Sequence, residues 1–304
     1  MMKFNLKRKN KTKENNSFIV KICLVLFSLF LFLYCVSLLL PLIWMLITSL
    51  KDEINYTIDN IGLPEKYRFR NFVDVLTKYL HVDIGNMRYG VDTMFFNSII
   101  LTTGTSFMVV FTTLLSAYAL ARFDFVGNKL IYTTGIVFMV LPVVGTFPAT
   151  FMLRKILGLY DNMFPHILAS GGGFSGTFFL VMYAACKAIP KDFSEAAELD
   201  GAGNYRIFFM IMFPIMLPTA TTMFVLNFMS AWNDYETPLI LLPSYPNLPF
   251  GMYAFQKGAT AGGDGAGTTV IMAGFVIVMI PTILLYIFSQ KLMNSNFVIG
   301  GIKG

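Results

Sequence analysis

Charge, histidine and cysteine are all scarce in this 304-residue chain. Only 13% of its residues are charged, against about 25% in an average soluble protein, and that balance points to a bilayer rather than to water. Two histidines, His81 and His166, leave little material for a polar catalytic surface. Cys23, Cys35 and Cys186 fall in apolar segments, and no pairwise spacing resembles a metal site or a disulfide framework. The G-x-x-x-x-G-K-[ST] phosphate loop is also missing, which argues against ATP binding and hydrolysis by the chain itself.

Apolar residues make up 56% of the chain and aromatics 15%. They gather into six runs, at about 18–48, 93–121, 130–153, 164–188, 207–231 and 268–291, each long enough to cross roughly 30 Å of hydrocarbon. The sequence therefore predicts an all-α integral membrane protein with six transmembrane helices. Lys3, Lys7, Arg8, Lys9, Lys11, Lys13 and Lys21 precede the first run and only Glu14 opposes them, so the positive-inside rule places the N-terminus in the cytoplasm. Six crossings return the C-terminus to the same side. The net charge of +6 lies beside apolar runs rather than along a polar face, which explains topology and speaks against a nucleic-acid partner. Ile22 to Trp44 is read as a retained anchor, because no small-residue cleavage site follows it.

Between the runs, residues 51–93 mix charges with Asn, Gly and Pro and read as an ordered extracytoplasmic segment. Residues 233–265 form a second outside segment, whose glycine cluster at 258–267 reads as a mobile, close-approaching loop tip and not as a phosphate cradle. Pro41, Pro142, Pro148, Pro165, Pro214, Pro218 and Pro281 predict kinked, tightly packed spans. Small residues from Ala169 to Gly173 allow close helix approach in span four.

Ion-coupled transporters place ionisable groups inside the membrane. Here Lys21, Lys187 and Lys291 sit at span ends where they can snorkel, and His166 near the outer end of span four reads as a hydrogen-bonded packing residue. Active transport would then need energy from a partner. Gly173-Phe174-Ser175-Gly176 matches the pattern around an intramembrane protease serine. Its base is wanting, since His166 lies nine residues away, roughly 13 Å along one helix.

The segment from Pro190 to Ala202 predicts a short helix with Asp192 as N-cap, Glu195 at the third position and Gly201 as a left-handed stop. Ala196 and Ala197 would present a flat face to a partner groove. Glu195-Ala196-Ala197, then Asp200-Gly201-Ala202, then Phe213-Pro214 and Leu217-Pro218 in the next span, resemble the EAA motif of ABC importer permeases. Ser116 to Arg122 ending span two, Trp232-Asn233-Asp234-Tyr235 after span five, Leu248-Pro249 and the end from Gln290 to Gly304 are similar to the smaller permease subunit of the carbohydrate-uptake, maltose-system-like group. Ile299-Gly300-Gly301 departs from the Gly-Ala-Val type of sequence more usual there.

That resemblance implies the type I ABC importer permease fold and a division into a basic N-terminus (1–21), a first helix with its outside loop (22–92), a permease core (93–291) with the EAA loop at 190–206, and a tail (292–304). It implies a bacterial cytoplasmic-membrane importer of a sugar or oligosaccharide with a second homologous permease subunit, two ATP-binding subunits and an extracytoplasmic solute-binding protein. The chain would hold no cofactor, ATP and Mg²⁺ being bound by the ATPases. Glu195, Ala196, Ala197, Glu198, Asp200, Gly201 and Ala202 would couple to an ATPase, and Gly300, Gly301, Lys303 and Gly304 would contact it through the tail. Gly258, Gly262, Gly263 and Gly265 would meet the binding protein. A same-fold permease for a peptide or polyamine, or a non-transporting scaffold, are the alternatives. Whether the sugar is neutral or acidic stays open, with Arg68, Arg70, Arg154 and Lys155 read as loop surface.

Overall fold

A computed structural model describes residues 2–141, 146–260 and 266–296. In chain order its helices begin with α1 (Met2–Ser49), α2 (Glu53–Ile58) and α3 (Arg70–Asp74). A π turn (Val75–Tyr79) and a hairpin of β1 (Val82–Ile84) and β2 (Met87–Tyr89) follow, then α4 (Val91–Arg122), α5 (Asn128–Val140), α6 (Thr146–Ile156), α7 (Met163–Ala169) and α8 (Thr177–Ala188). The chain continues with α9 (Asp192–Leu199), α10 (Asn204–Ile207), a second π turn (Phe208–Met212), α11 (Phe213–Trp232), α12 (Glu236–Leu241), α13 (Leu248–Thr260) and α14 (Thr268–Asn296). The hairpin pairs Val82 with Tyr89 and Ile84 with Met87, and Gly85, at φ +59°, takes the left-handed first position of its two-residue turn.

Among the described residues, four stretches are long and apolar enough to cross a membrane: Val20–Ser49, Val91–Arg122, Asn204–Trp232 and Thr268–Gln290. The third and fourth expected runs instead fold as broken pairs, α5 with α6 and α7 with α8. Leu141, with φ −66° and ψ 120°, has left the helical region, as the residue before a proline tends to. In the fourth run the stretch from Ser170 to Gly176 is non-helical, and Gly176 sits at φ +57°. A methyl group on Gly173 would lie 2.3 Å from Ser116 Oγ, so this backbone runs too close to α4 for a side chain. Non-helical backbone at such depth is tolerated where protein covers it or a cavity adjoins it.

The chain forms two compact units. One holds residues up to 73 together with 267–276. In it Asn71 donates to the carbonyls of Ser49 and Lys51, at 2.8 Å each, and the Lys51 ammonium donates to Asp59 O at 2.6 Å. Asp59 Oδ1 accepts from the amides of Ile61 and Gly62, and those two bonds hold its carboxyl below the ordinary 3.8. The Glu53 carboxylate spans the first turn of α14, accepting from Thr268 N (2.9 Å), Thr269 N (3.1 Å) and Thr269 Oγ1 (2.8 Å). Acidic groups suit a helix N-terminus, where backbone N–H groups lack intrahelical partners.

The second unit, 74–266 with 277–304, is built around α4, against which α7, α8, α11 and α13 pack. Thirty-two residues give α4 a length of about 48 Å. Ser98, Thr102, Ser106, Thr113 and Ala117 are buried along it, small groups that let neighbouring backbones approach where lipid supplies no hydrophobic drive. Cross-helix hydrogen bonds reinforce the packing: Asn227 Nδ2 donates to Ser106 Oγ (3.0 Å), and Thr113 Oγ1 to Ser175 Oγ (2.8 Å). Ser175 in turn donates to Gly172 O (3.2 Å), so the serine of the protease-like pattern serves as a structural link. The π turn before α11 ends two residues ahead of Pro214, whose ring has no N–H to continue the helical ladder.

Candidate functional site

The segment between α8 and α11 folds as a short protruding helix with a tightly made end. Gly201, at φ +79°, donates to Glu198 O (2.9 Å), and Ala202 donates to Ala197 O (2.9 Å). Those two bonds define a Schellman turn, the glycine stop expected from the sequence. The start differs from expectation. Lys191, not Asp192, is the N-cap, and no side chain caps the helix. Lys191 is already helical (φ −68°, ψ −24°) and its carbonyl accepts from Ser194 and Glu195, so Asp192 falls one position inside and serves as first-turn charge.

The two alanines also part company. Ala197 and Ala202 pack on the buried cluster that includes Tyr118, Ile207 and Phe208, whereas Ala196 is exposed with Glu195, Glu198, Asp200 and Gly201. The outward face is therefore Glu195, Ala196 and Glu198, and it continues through Leu199 and Tyr205, which are 90% and 85% exposed. At the root of the segment Arg122, the last residue of α4, donates to Ile189 O (2.6 Å) and ties the end of that helix to the start of the loop. This knuckle is anchored on one side and bare on the other.

The outside segment expected at 233–265 is largely helical, as α12 and α13. Asn247 accepts from Phe250 N (2.9 Å) as an N-cap, Pro249 stands in the first turn, and Leu248, Phe250, Met252 and Phe255 are buried. Asn-Leu-Pro-Phe is a helix-start signal that a count of prolines and glycines obscures. Gly258 lies in the last turn of α13 with open space around it. Gly262, Gly263 and Gly265 fall outside the described residues, as do Gly300, Gly301, Lys303 and Gly304 of the tail.

A second feature escaped sequence reasoning altogether. Leu101, Thr105, His166, Ser170, Asn227, Ser230, Ala231, Asp234 and Thr237 line a cavity of about 290 Å³ within the second unit. Its volume is at the small end of ligand pockets, roughly 300–1,000 Å³. Most of its polar lining comes from a break or an end: Ser170 from the interruption of span four, Asp234 and Thr237 from the turn into α12, Asn227 and Ser230 from the last turns of α11, while Thr105 lies mid-way along α4 and His166 within α7. Arg154, expected on a loop surface, is half-buried in the last turn of α6 with its guanidinium on His166 Nδ1, and His166 is 5% exposed. The signal for such a cavity is a cluster of hydroxyl and amide residues at span interruptions, visible only once the interruptions are known.

Comparison with known proteins places this geometry. The model of the family described as binding-protein-dependent transport system inner membrane component matches residues 109–298, which contain the knuckle and the cavity lining apart from Leu101 and Thr105. The chain belongs to that family. It is similar to the diacetylchitobiose uptake system permease protein NgcG of Streptomyces coelicolor, at 28% identity over 87% of this chain and 84% of the relative. It is similar also to the arabinooligosaccharides transport system permease protein AraQ of Bacillus subtilis, at 31% identity over 69% and 73%. Among solved structures, a chain of a bacterial ABC transporter involved in the import of the acidic polysaccharide alginate superposes with a TM-score of 0.71 at 25% identity, covering 89% of this chain and 96% of that one. The chain accordingly has the type I importer permease fold and is a multi-pass component of the inner membrane. The broken third and fourth spans are part of that fold as it occurs here.

Proposed function

We propose that this chain is one of two homologous permease subunits of a sugar or oligosaccharide importer, with both termini in the cytoplasm and α9 as the point where a partner ATPase drives it. The observation that carries the reading is the knuckle itself, fixed to the subunit core through Ala197 and Ala202 while Glu195, Ala196 and Glu198 face outward. A body so held moves with the spans behind it, so a displacement at α9 is passed to α4 through Arg122 and the Tyr118 cluster. The energy comes from ATP and Mg²⁺ bound by the ATPase pair, with the tail residues Gly300, Gly301, Lys303 and Gly304 adding contact there. On the other side Gly258, Gly262, Gly263 and Gly265 meet the solute-binding protein.

The similarity to permeases of uptake systems for diacetylchitobiose and arabinooligosaccharides favours a carbohydrate cargo, and the hydroxyl- and amide-lined cavity suits one. Gly201→Pro tests the driver. It removes the N–H given to Glu198 and demands φ near −65° where the chain has +79°, so the Schellman turn is lost while the spans remain. In reconstituted complexes binding-protein-stimulated ATP hydrolysis should vanish with membrane insertion intact. Normal stimulated hydrolysis would refute the coupling role, and purification without any ATPase subunit would favour a scaffold.

A further inference from the structure

We infer that His166 is a specificity-determining residue of the cavity, held by Arg154 as a neutral imidazole whose Nε2–H donates to an oxygen of an uncharged, polyhydroxylated ligand. The inference rests on the reading of the cavity as a sugar contact. A guanidinium has donors and no acceptor. Arg154 on Nδ1 therefore makes that nitrogen the acceptor, and a neutral ring with Nδ1 bare carries its proton on Nε2. Arg154 acts through His166 and is a positioning residue.

The rest of the lining shows why such a donor matters. Thr105 gives its hydroxyl proton to Leu101 O (2.7 Å) and Ser170 gives its own to Ile167 O (2.6 Å). Asn227 gives one amide proton to Ser106, and the Asp234 carboxylate accepts from Thr237 N (3.0 Å). What these groups turn toward the cavity is mostly lone pairs. Hydroxyl groups of a sugar can donate to them, but an oxygen of the same ligand that must accept needs a fixed N–H, and His166 supplies it from a buried position. A carboxylate ligand would meet an acceptor-rich wall that already carries the Asp234 carboxylate.

The test is binding to the whole complex, with partner permease and ATPases, in nanodiscs without binding protein. Saturation-transfer NMR would use maltotriose, cellotriose, xylotriose, arabinotriose and galactotriose as neutral probes and trigalacturonate as the acidic one. Expected is binding of at least one neutral probe in preference to trigalacturonate. That affinity should fall about tenfold in His166→Asn, whose amide stands near the Nδ1 position, and stay within about threefold in His166→Gln, whose amide reaches the Nε2 position. Arg154→Met should weaken it several-fold and Arg154→Lys should restore it. In uptake assays KM should rise with kcat unchanged. Ser230→Phe, which fills the cavity, separates the two levels of the argument. If it abolishes binding while both His166 variants bind alike, or trigalacturonate binds as well as the neutral probes, the His166 assignment is overturned and the cavity reading stands. If Ser230→Phe has no effect, or no probe binds, the cavity reading falls and takes the assignment with it.

Discussion

Removing the Glu53 carboxylate should open the first turn of α14 by an amount the geometry allows us to work out. Three donors converge on it, Thr268 N, Thr269 N and Thr269 Oγ1, and Thr269 is 1% exposed, so its freed amide would find no water in place of the lost acceptor. Loss of a helix cap costs about 0.5–2 kcal/mol, and a buried donor left unsatisfied about 1–3 kcal/mol. The two descriptions overlap, and about 2 kcal/mol is a fair expectation for Glu53→Ala. At about 1.4 kcal/mol per factor of ten, that is a roughly thirtyfold loss of amide protection. Hydrogen exchange read by mass spectrometry on a peptide covering 266–275 measures it directly.

Gly267 provides the cross-check. A methyl group there would lie 2.1 Å from Glu53 Cδ, so Gly267→Ala should displace the carboxylate and reproduce the Glu53→Ala effect. In the Glu53→Ala background the clash is gone and Gly267→Ala should add little. The double-mutant cycle is therefore strongly non-additive. Unchanged protection in Glu53→Ala, or simple additivity of the pair, would refute the account of this clamp.

Other consequences follow from single contacts. Asn247→Ala removes the cap of α13 and the hydrogen bond to Asp234 O (2.8 Å), and should cost about 1–2 kcal/mol, seen as faster exchange across 248–255. Gly173→Val forces a side chain against Ser116 and should lower stability by about 1–3 kcal/mol, measured as an earlier thermal transition of the purified complex. Because the folded Asp59 carboxyl titrates below its ordinary value, its contribution is fully present above pH 3.8 and is lost as pH falls through the lower folded value. Acid titration should loosen the amides of Ile61 and Gly62 in that range, and Asp59→Asn should abolish the dependence.

What the sequence made legible was whatever depends on local chemistry. Apolar run length located the spans because hydrocarbon thickness sets one scale for all of them. The order of Glu195, Ala196, Ala197, Asp200 and Gly201 announced the knuckle and its left-handed stop, which Gly201 adopts. Hydropathy could not foresee the interruptions of spans three and four. The residues there, Leu141 before Pro142 and the glycines from 171 to 173, are as compatible with a kinked continuous helix as with a break. In span four, packing of Gly171 and Gly173 against Thr112 and Ser116 of α4 decides the matter. The outward and inward roles of Ala196 and Ala197 were likewise hidden, since adjacent helix residues look identical in sequence and differ by about 100° around the axis. Residues far apart in the chain, Glu53 with Thr268 and Arg154 with His166, carry no local signature at all.

The central claim, that α9 meets an ATPase with one defined face, is tested most directly by cysteine cross-linking in the assembled complex. In a background with Cys23, Cys35 and Cys186 replaced by serine, Ala196→Cys and Ala197→Cys would each be treated with a short thiol cross-linker. Ala196→Cys, on the exposed face, should trap the ATPase subunit in a product that changes with ATP. Ala197→Cys, packed on the core of its own subunit, should trap nothing. Equal cross-linking at both positions, or none at Ala196→Cys in an otherwise active complex, would contradict the account.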